Sequence, residues 1–72
     1  MNILYVDNDT GGLSCLVTAN PGTTAGQFFA QRKPGKNWDE YTVRVDNADA
    51  THGQVLQNNQ RVTVAPRKFA GA

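Results

Sequence analysis

Arg61-Val62-Thr63-Val64-Ala65-Pro66-Arg67-Lys68-Phe69-Ala70-Gly71-Ala72 closes the chain and decides how the rest of it must fold. Its first half alternates, with Val62 and Val64 facing one way and Arg61 and Thr63 the other. That is the period of a strand with one buried side. Pro66 has no N–H to give to a neighbouring strand, so the ordered sheet is expected to end there. A short stretch follows that finishes in the small residues Ala70, Gly71 and Ala72. A buried strand this late in the chain must find its place beside strands made earlier.

Working backwards, Asn58-Asn59 marks a turn before that strand, because Asn tolerates a left-handed backbone. Val55-Leu56 is a short apolar pair, either an abbreviated strand or a turn that plugs the core. Residues 48–54 read as irregular, and Asp46-Asn47 as a turn. Tyr41 to Val45 alternates cleanly: Tyr41, Val43 and Val45 point one way, Thr42 and Arg44 the other. Ahead of it lies a polar connection, Lys36 to Glu40, that carries Trp38.

The spacing predicts one helix. Thr24-Ala25-Gly26-Gln27 fits a capping box, in which the Thr24 hydroxyl and the Gln27 side chain satisfy each other's backbone N–H groups. Ala25, Phe28 and Phe29 fall on one face. Burying each Phe contributes roughly 1.5–3 kcal/mol, a large share for a domain of this size. Pro34-Gly35 ends the helix. Gly26, near its start, weakens it by about 1 kcal/mol relative to Ala.

Asn2 to Val6 and Leu13 to Thr18 read as strands joined by the turn-forming run Asn8-Asp9-Thr10-Gly11-Gly12. The order is strand, strand, helix, strand, short strand, strand. A helix between an N-terminal hairpin and later strands must lie across one sheet face. Placing the last strand beside the first gives an α+β fold: a mixed four- to five-stranded sheet packed on one helix. Composition leaves other α+β orders open.

The chain has 72 residues, which fits one small domain over residues 1–66 followed by a tail at 67–72. A single core of this size commonly supplies only ~3–5 kcal/mol of stability. It has no room for a deep substrate pocket, so a role through its surface or its tail is expected rather than enzymatic catalysis. Seven Lys/Arg against six Asp/Glu give a net charge of +1, which argues against nucleic acid or an anionic membrane as partner. No run is long and apolar enough to span a bilayer. No basic-then-apolar leader opens the sequence, and its one cysteine, Cys15, cannot form an internal disulfide. The expectation is a monomeric cytoplasmic protein.

No Ser/His/Asp set, cysteine pair or metal-ligand spacing is visible, and no cofactor is expected. Cys15, between Ser14 and Leu16, reads as a small packing residue, and His52 as a loop residue. Trp38 reads either as an interaction anchor or as a lid over the open end of the core. Arg44, Arg61, Arg67 and Lys68 form a candidate basic patch: a solvated sheet face, or a docking face for an acidic partner.

The order and spacing of several segments resemble the MoaD/ThiS group of ubiquitin-like β-grasp proteins over nearly the whole length. They are the opening Met1-Asn2-Ile3-Leu4-Tyr5-Val6, the helix entry Pro21-Gly22-Thr23-Thr24, Val43-Arg44-Val45-Asp46-Asn47, Leu56-Gln57-Asn58-Asn59-Gln60-Arg61-Val62, and the closing Phe69-Ala70-Gly71-Ala72. Two positions depart from that group. Its acidic Asp-Gly-Asp turn is Asn58-Asn59-Gln60 here, and its terminal Gly-Gly is Gly71-Ala72.

The resemblance implies a ubiquitin-like β-grasp fold and a sulfur carrier or protein modifier. In the group, an E1-like enzyme joins the terminal carboxylate to AMP before sulfur transfer or conjugation. Ala70, Gly71 and Ala72 would then be the tail that enters a narrow channel, where small side chains are needed for the carbonyl to reach the nucleotide. The extra methyl of Ala72 leaves three outcomes: a tail accepted by a dedicated enzyme, one trimmed first, or one that is silent. In the last case the fold would serve as a non-covalent binding module, an adaptor or inhibitor acting through its sheet face. In ubiquitin-like folds the exposed face beside the tail is the usual partner surface, which would give Arg44, Arg61, Arg67, Lys68 and Trp38 that role.

Overall fold

The computed structural model describes residues 1–9 and 12–67. Strands β1 (Asn2–Asp7) and β2 (Leu13–Thr18) form the opening hairpin, and helix α1 (Ala25–Arg32) follows. A single 3-10 turn at Trp38–Glu40 leads into β3 (Tyr41–Val45), β4 (Ala48–Asp49) and β5 (Arg61–Pro66). The five strands make one sheet in the order β2-β1-β5-β3-β4. The last strand therefore lies at the centre. It runs parallel to β1, with Tyr5 opposite Val62 and Asp7 opposite Val64, and antiparallel to β3, with Val43 opposite Val64.

Alternation puts Ile3, Tyr5, Val43, Val45, Val62 and Val64 on the face that α1 covers with Ala25, Phe28 and Phe29. Leu56, 1% exposed, plugs this core from the loop after β4. Its N–H donates to Thr23 O (2.9 Å), and the neighbouring Val55 forms an isolated bridge with Thr24.

The helix begins with the expected capping box. Gln27 N–H donates to Thr24 Oγ1 (3.2 Å), and Thr24 N–H donates to Gln27 Oε1 (3.0 Å). The next orphan donors are met by the loop before Val55: Ala25 N–H by Gln54 O (2.7 Å) and Gly26 N–H by His52 O (2.9 Å). Gly26 suits the packing, because the His52 imidazole occupies the space where its Cβ would stand and would have to shift for any larger residue. Lys33 caps the other end, its N–H on Phe29 O (2.8 Å).

Two expectations are corrected. The short fourth strand is Ala48–Asp49, inside the stretch read as irregular, and not Val55-Leu56. Asp46 and Asn47 adopt φ of 51° and 71°, the left-handed pair of a tight hairpin turn, so the chain doubles back at once onto β3. Cys15 is exposed rather than packed. It lies on β2, an edge strand that the helix does not cover, so its inward direction meets no core.

Candidate functional site

Between β3's outer edge and the 3-10 turn lies a cavity of about 250 Å³, lined by Trp38, Tyr41, Thr42, Arg44, Asp49 and Arg67 among others. Its position follows from strand lengths. β4 pairs only with Arg44 and Val45, so among the described residues the first half of β3 has no outer neighbour strand. Trp38 fills part of the gap. It is half-buried, packs edge-on against Phe29 (ring centroids 5.7 Å apart) and meets the His52 ring at 5.0 Å. Trp38 thus acts as a lid on the core and as a wall of the groove.

Two arginines reach this groove. Arg44 Nε lies 3.3 Å from Asp49 Oδ1 on the exposed face. Arg67 Nε donates to Tyr41 O (3.0 Å), and its main-chain N–H donates to Glu40 O (2.9 Å). Arg67 is thus held through Nε, while Arg44 is in a surface ion pair with Asp49. Among the described residues no further hydrogen bond takes their terminal nitrogens, which remain able to grip a carboxylate.

Tyr41 is fixed from behind by a buried polar cluster that sequence reading missed. Lys33 Nζ bridges Asp7 Oδ2 (3.1 Å) and Asp9 Oδ2 (2.9 Å). The Tyr5 hydroxyl donates to Asp7 (2.9 Å), the Tyr41 hydroxyl to Asp9 (2.8 Å), and Asp9 N–H to the other oxygen of Asp7 (2.8 Å). Burial alone would raise the Asp7 carboxyl. The Asp9 N–H, Lys33 and Tyr5 outweigh it and hold Asp7 below the usual carboxylate range. Asp9 is likewise lowered, chiefly by its bonds from Lys33 and Tyr41. Lys33 is held well above the ordinary lysine value by its bond to Asp9, against a smaller opposing cost of burial. Tyr5 is pushed up to about 12, first by burial and then by Asp7. The sequence signal was Asp7 at an inward strand position, which needs a cationic partner; ending the strand at Val6 hid it.

The open sheet face continues from the groove. Arg44 stands beside Thr63, and Thr63 beside Val6. The next row reads Leu16, Leu4, Arg61 across β2, β1 and β5. Leu4 and Leu16 are exposed, at 38% and 68%, and were not singled out from the sequence.

The sequence-predicted residues therefore separate. Arg44, Arg67 and Trp38 line one groove. Arg61 stands apart at the far end of β5, where its guanidinium donates to Asn47 Oδ1 and its N–H to Asp46 Oδ1 (2.9 Å). Lys68, Ala70, Gly71 and Ala72 lie outside the described residues. Among the described residues no group of His, Cys, Asp and Glu could hold a metal ion. Nor is any helix there long and apolar enough to cross a membrane.

One helix across a mixed sheet, with the last strand central and parallel to the first, is the ubiquitin-like β-grasp fold. SAMP1 from Haloferax volcanii has a similar structure, with a TM-score of 0.73 and 13% identity over 99% of this chain and 100% of its own. A ubiquitin-like protein from the archaeon Caldiarchaeum subterraneum is also similar, with a TM-score of 0.67 and 15% identity over 97% of this chain and 100% of its own. At such identities the likeness is one of fold. No protein-family model matches the sequence, and no curated protein does.

Proposed function

We propose that this chain is a small ubiquitin-like carrier or modifier that presents Ala70, Gly71 and Ala72 to an E1-like adenylating enzyme. The observation that carries the reading is the end of β5. The central strand of the sheet hands the chain to Arg67, which is tied by main chain and side chain to Glu40 and Tyr41 at the rim of a groove. Lys68 to Ala72 follow directly in sequence from that fixed point. A rigid launch point beside a recognition surface is what delivery of a carbonyl into a channel requires. The β-grasp fold of the similar structures supports the reading at the level of architecture.

On this reading the enzyme supplies the nucleotide chemistry and the carrier supplies a docking face and a reactive end. The face would comprise the Arg44–Arg67 groove with Trp38, and the Leu4–Leu16 row beyond it. A second reading, a non-covalent binding module, is favoured by the same groove, which Trp38, Arg44 and Arg67 line.

Intact mass of the protein recovered from its host separates the two. Oxygen-to-sulfur exchange, loss of Ala72 or attachment to another protein is expected for a carrier or modifier. An unchanged mass under every growth condition would leave the binding module. Gly71→Glu is expected to abolish activation while leaving the groove intact; normal adenylation of that variant would sink the tail assignment.

A further inference from the structure

Among the described residues, strand β2 is a free edge of unusual composition. Its residues, Leu-Ser-Cys-Leu-Val-Thr, include no charge and no proline. Leu13 and Leu16 are 57% and 68% exposed, and only Val17 is partly buried. Proteins usually guard edge strands with charges, proline, bulges or brevity. The opposite edge uses brevity, since β4 has two residues. The six residues of β2 use none of these.

The hydrogen-bond phase shows what this edge offers. Ala19 N–H donates to Met1 O (2.9 Å), which makes Met1 and Ala19 a hydrogen-bonded pair. In an antiparallel ladder such pairs alternate, so Ile3–Val17, Tyr5–Cys15 and Asp7–Leu13 also exchange bonds. The N–H and C=O groups of Ser14, Leu16 and Thr18 therefore point away from the sheet.

We propose that a second copy of this chain pairs with β2 antiparallel, with Leu16 facing Leu16 across a two-fold axis perpendicular to the sheet. In that register Ser14 meets Thr18 of the other copy, and Thr18 meets its Ser14. All outward groups of the three residues then find partners. Centring the pair on Cys15 instead would send Thr18 against Gly12, beyond the strand. A one-residue slip would set the open face of one copy beside the helix-covered face of the other. The chosen register also aligns Leu4, Leu16, then Leu16 and Leu4 of the second copy, in one apolar row. An uncharged strand has no like-charge cost in facing itself, and a two-fold pairing sets the 68% exposed Leu16 against its own copy. The single-copy expectation from sequence is set aside by this reading. The pairing leaves Arg67 and the groove free, because β1 and β5 stand between β2 and β3.

Sedimentation of the full chain under reducing conditions tests the proposal. The parent is expected to shift from monomer to dimer, and no further, as concentration rises. Leu16→Lys places two ammonium groups face to face and should weaken association about tenfold or more. Ser14→Pro removes an outward N–H that β1 does not use, and should also weaken it. Circular dichroism checks that both variants keep their fold. A register probe is independent of affinity: Val17→Cys brings a thiol opposite Cys15 of the other copy, and oxidation should trap a covalent dimer. A parent that stays monomeric at every concentration overturns the proposal. So do open-ended oligomers, an association unmoved by either edge variant, or β2 amides protected only when a foreign extended peptide is added.

Discussion

Lys33 is the residue on which the helix end, the β1 end and the start of β3 all depend. It is buried to 9% exposure between two carboxylates that are themselves bonded by two tyrosines. Lys33→Met keeps the length of the side chain and removes its charge, leaving Asp7 buried without a cation. Removing one partner of a buried pair is strongly destabilising, and a loss of about 3 kcal/mol is expected, read as a lower urea midpoint. The same cluster sets the pH limits. Asp7 and Asp9 titrate lower in the folded chain than in the unfolded one, so their contribution is complete above the ordinary carboxylate value and is lost as pH falls below about 4. Lys33 and Tyr5 titrate higher when folded. Their contribution is complete below about 10 and drains away above it. Unfolding free energy against pH should therefore fall on both sides. In Lys33→Met the acid limb should flatten, while Tyr5, which burial and Asp7 hold up against the lowering effect of Lys33, keeps an alkaline limb; a parent-like acid limb in that variant would count against the cluster.

At the scale of elements, α1 is a short helix held by what packs on it, and its glycine shows how. Propensity alone favours Gly26→Ala by about 1 kcal/mol. The methyl would occupy the space taken by the His52 ring, which in turn packs on Trp38. Gly26→Ala is therefore expected to lose more than it gains in the parent and to become stabilising in a His52→Ala background. A double-mutant cycle should return a coupling of more than about 1 kcal/mol; additive effects would mean that the ring moves aside freely. The helix was readable from Thr24, Gln27, Phe28 and Phe29 because capping and helical spacing are local. The loop that caps it was not. His52 and Gln54 lie far along the chain, and their carbonyls meet Gly26 and Ala25 only in three dimensions. β4 was missed for a related reason: its two residues carry no period, and only the left-handed turn at Asp46 and Asn47 announces it.

The whole molecule was legible where alternation and order sufficed, from the central β5 to the face covered by the helix. Its candidate site was legible only residue by residue. Arg44, Trp38 and Arg67 could be named from sequence, but their meeting in one groove depends on how far β4 extends along β3. Arg61 looked equivalent to them because it shares the outward phase with Arg44. In the fold it is engaged by Asn47 and Asp46 at the other end of β5. This separation yields a graded expectation for an acidic partner. Arg44→Glu with Arg67→Glu reverses both charges of the groove, so on the carrier reading proposed above, capture by an E1-like enzyme, measured as the rate of adenylation at limiting carrier, should fall by at least about tenfold. Much of that loss should lie in association, and it should shrink as salt rises, since exposed charges are screened beyond about 10 Å at 0.1 M. Arg61→Glu should cost less, because it alters the field without touching the groove. Equal losses from the two changes would make the whole face the docking surface. A large loss from Arg61→Glu with none from the groove pair would move the docking site to the far end of β5 and leave the tail with no recognition surface at its root.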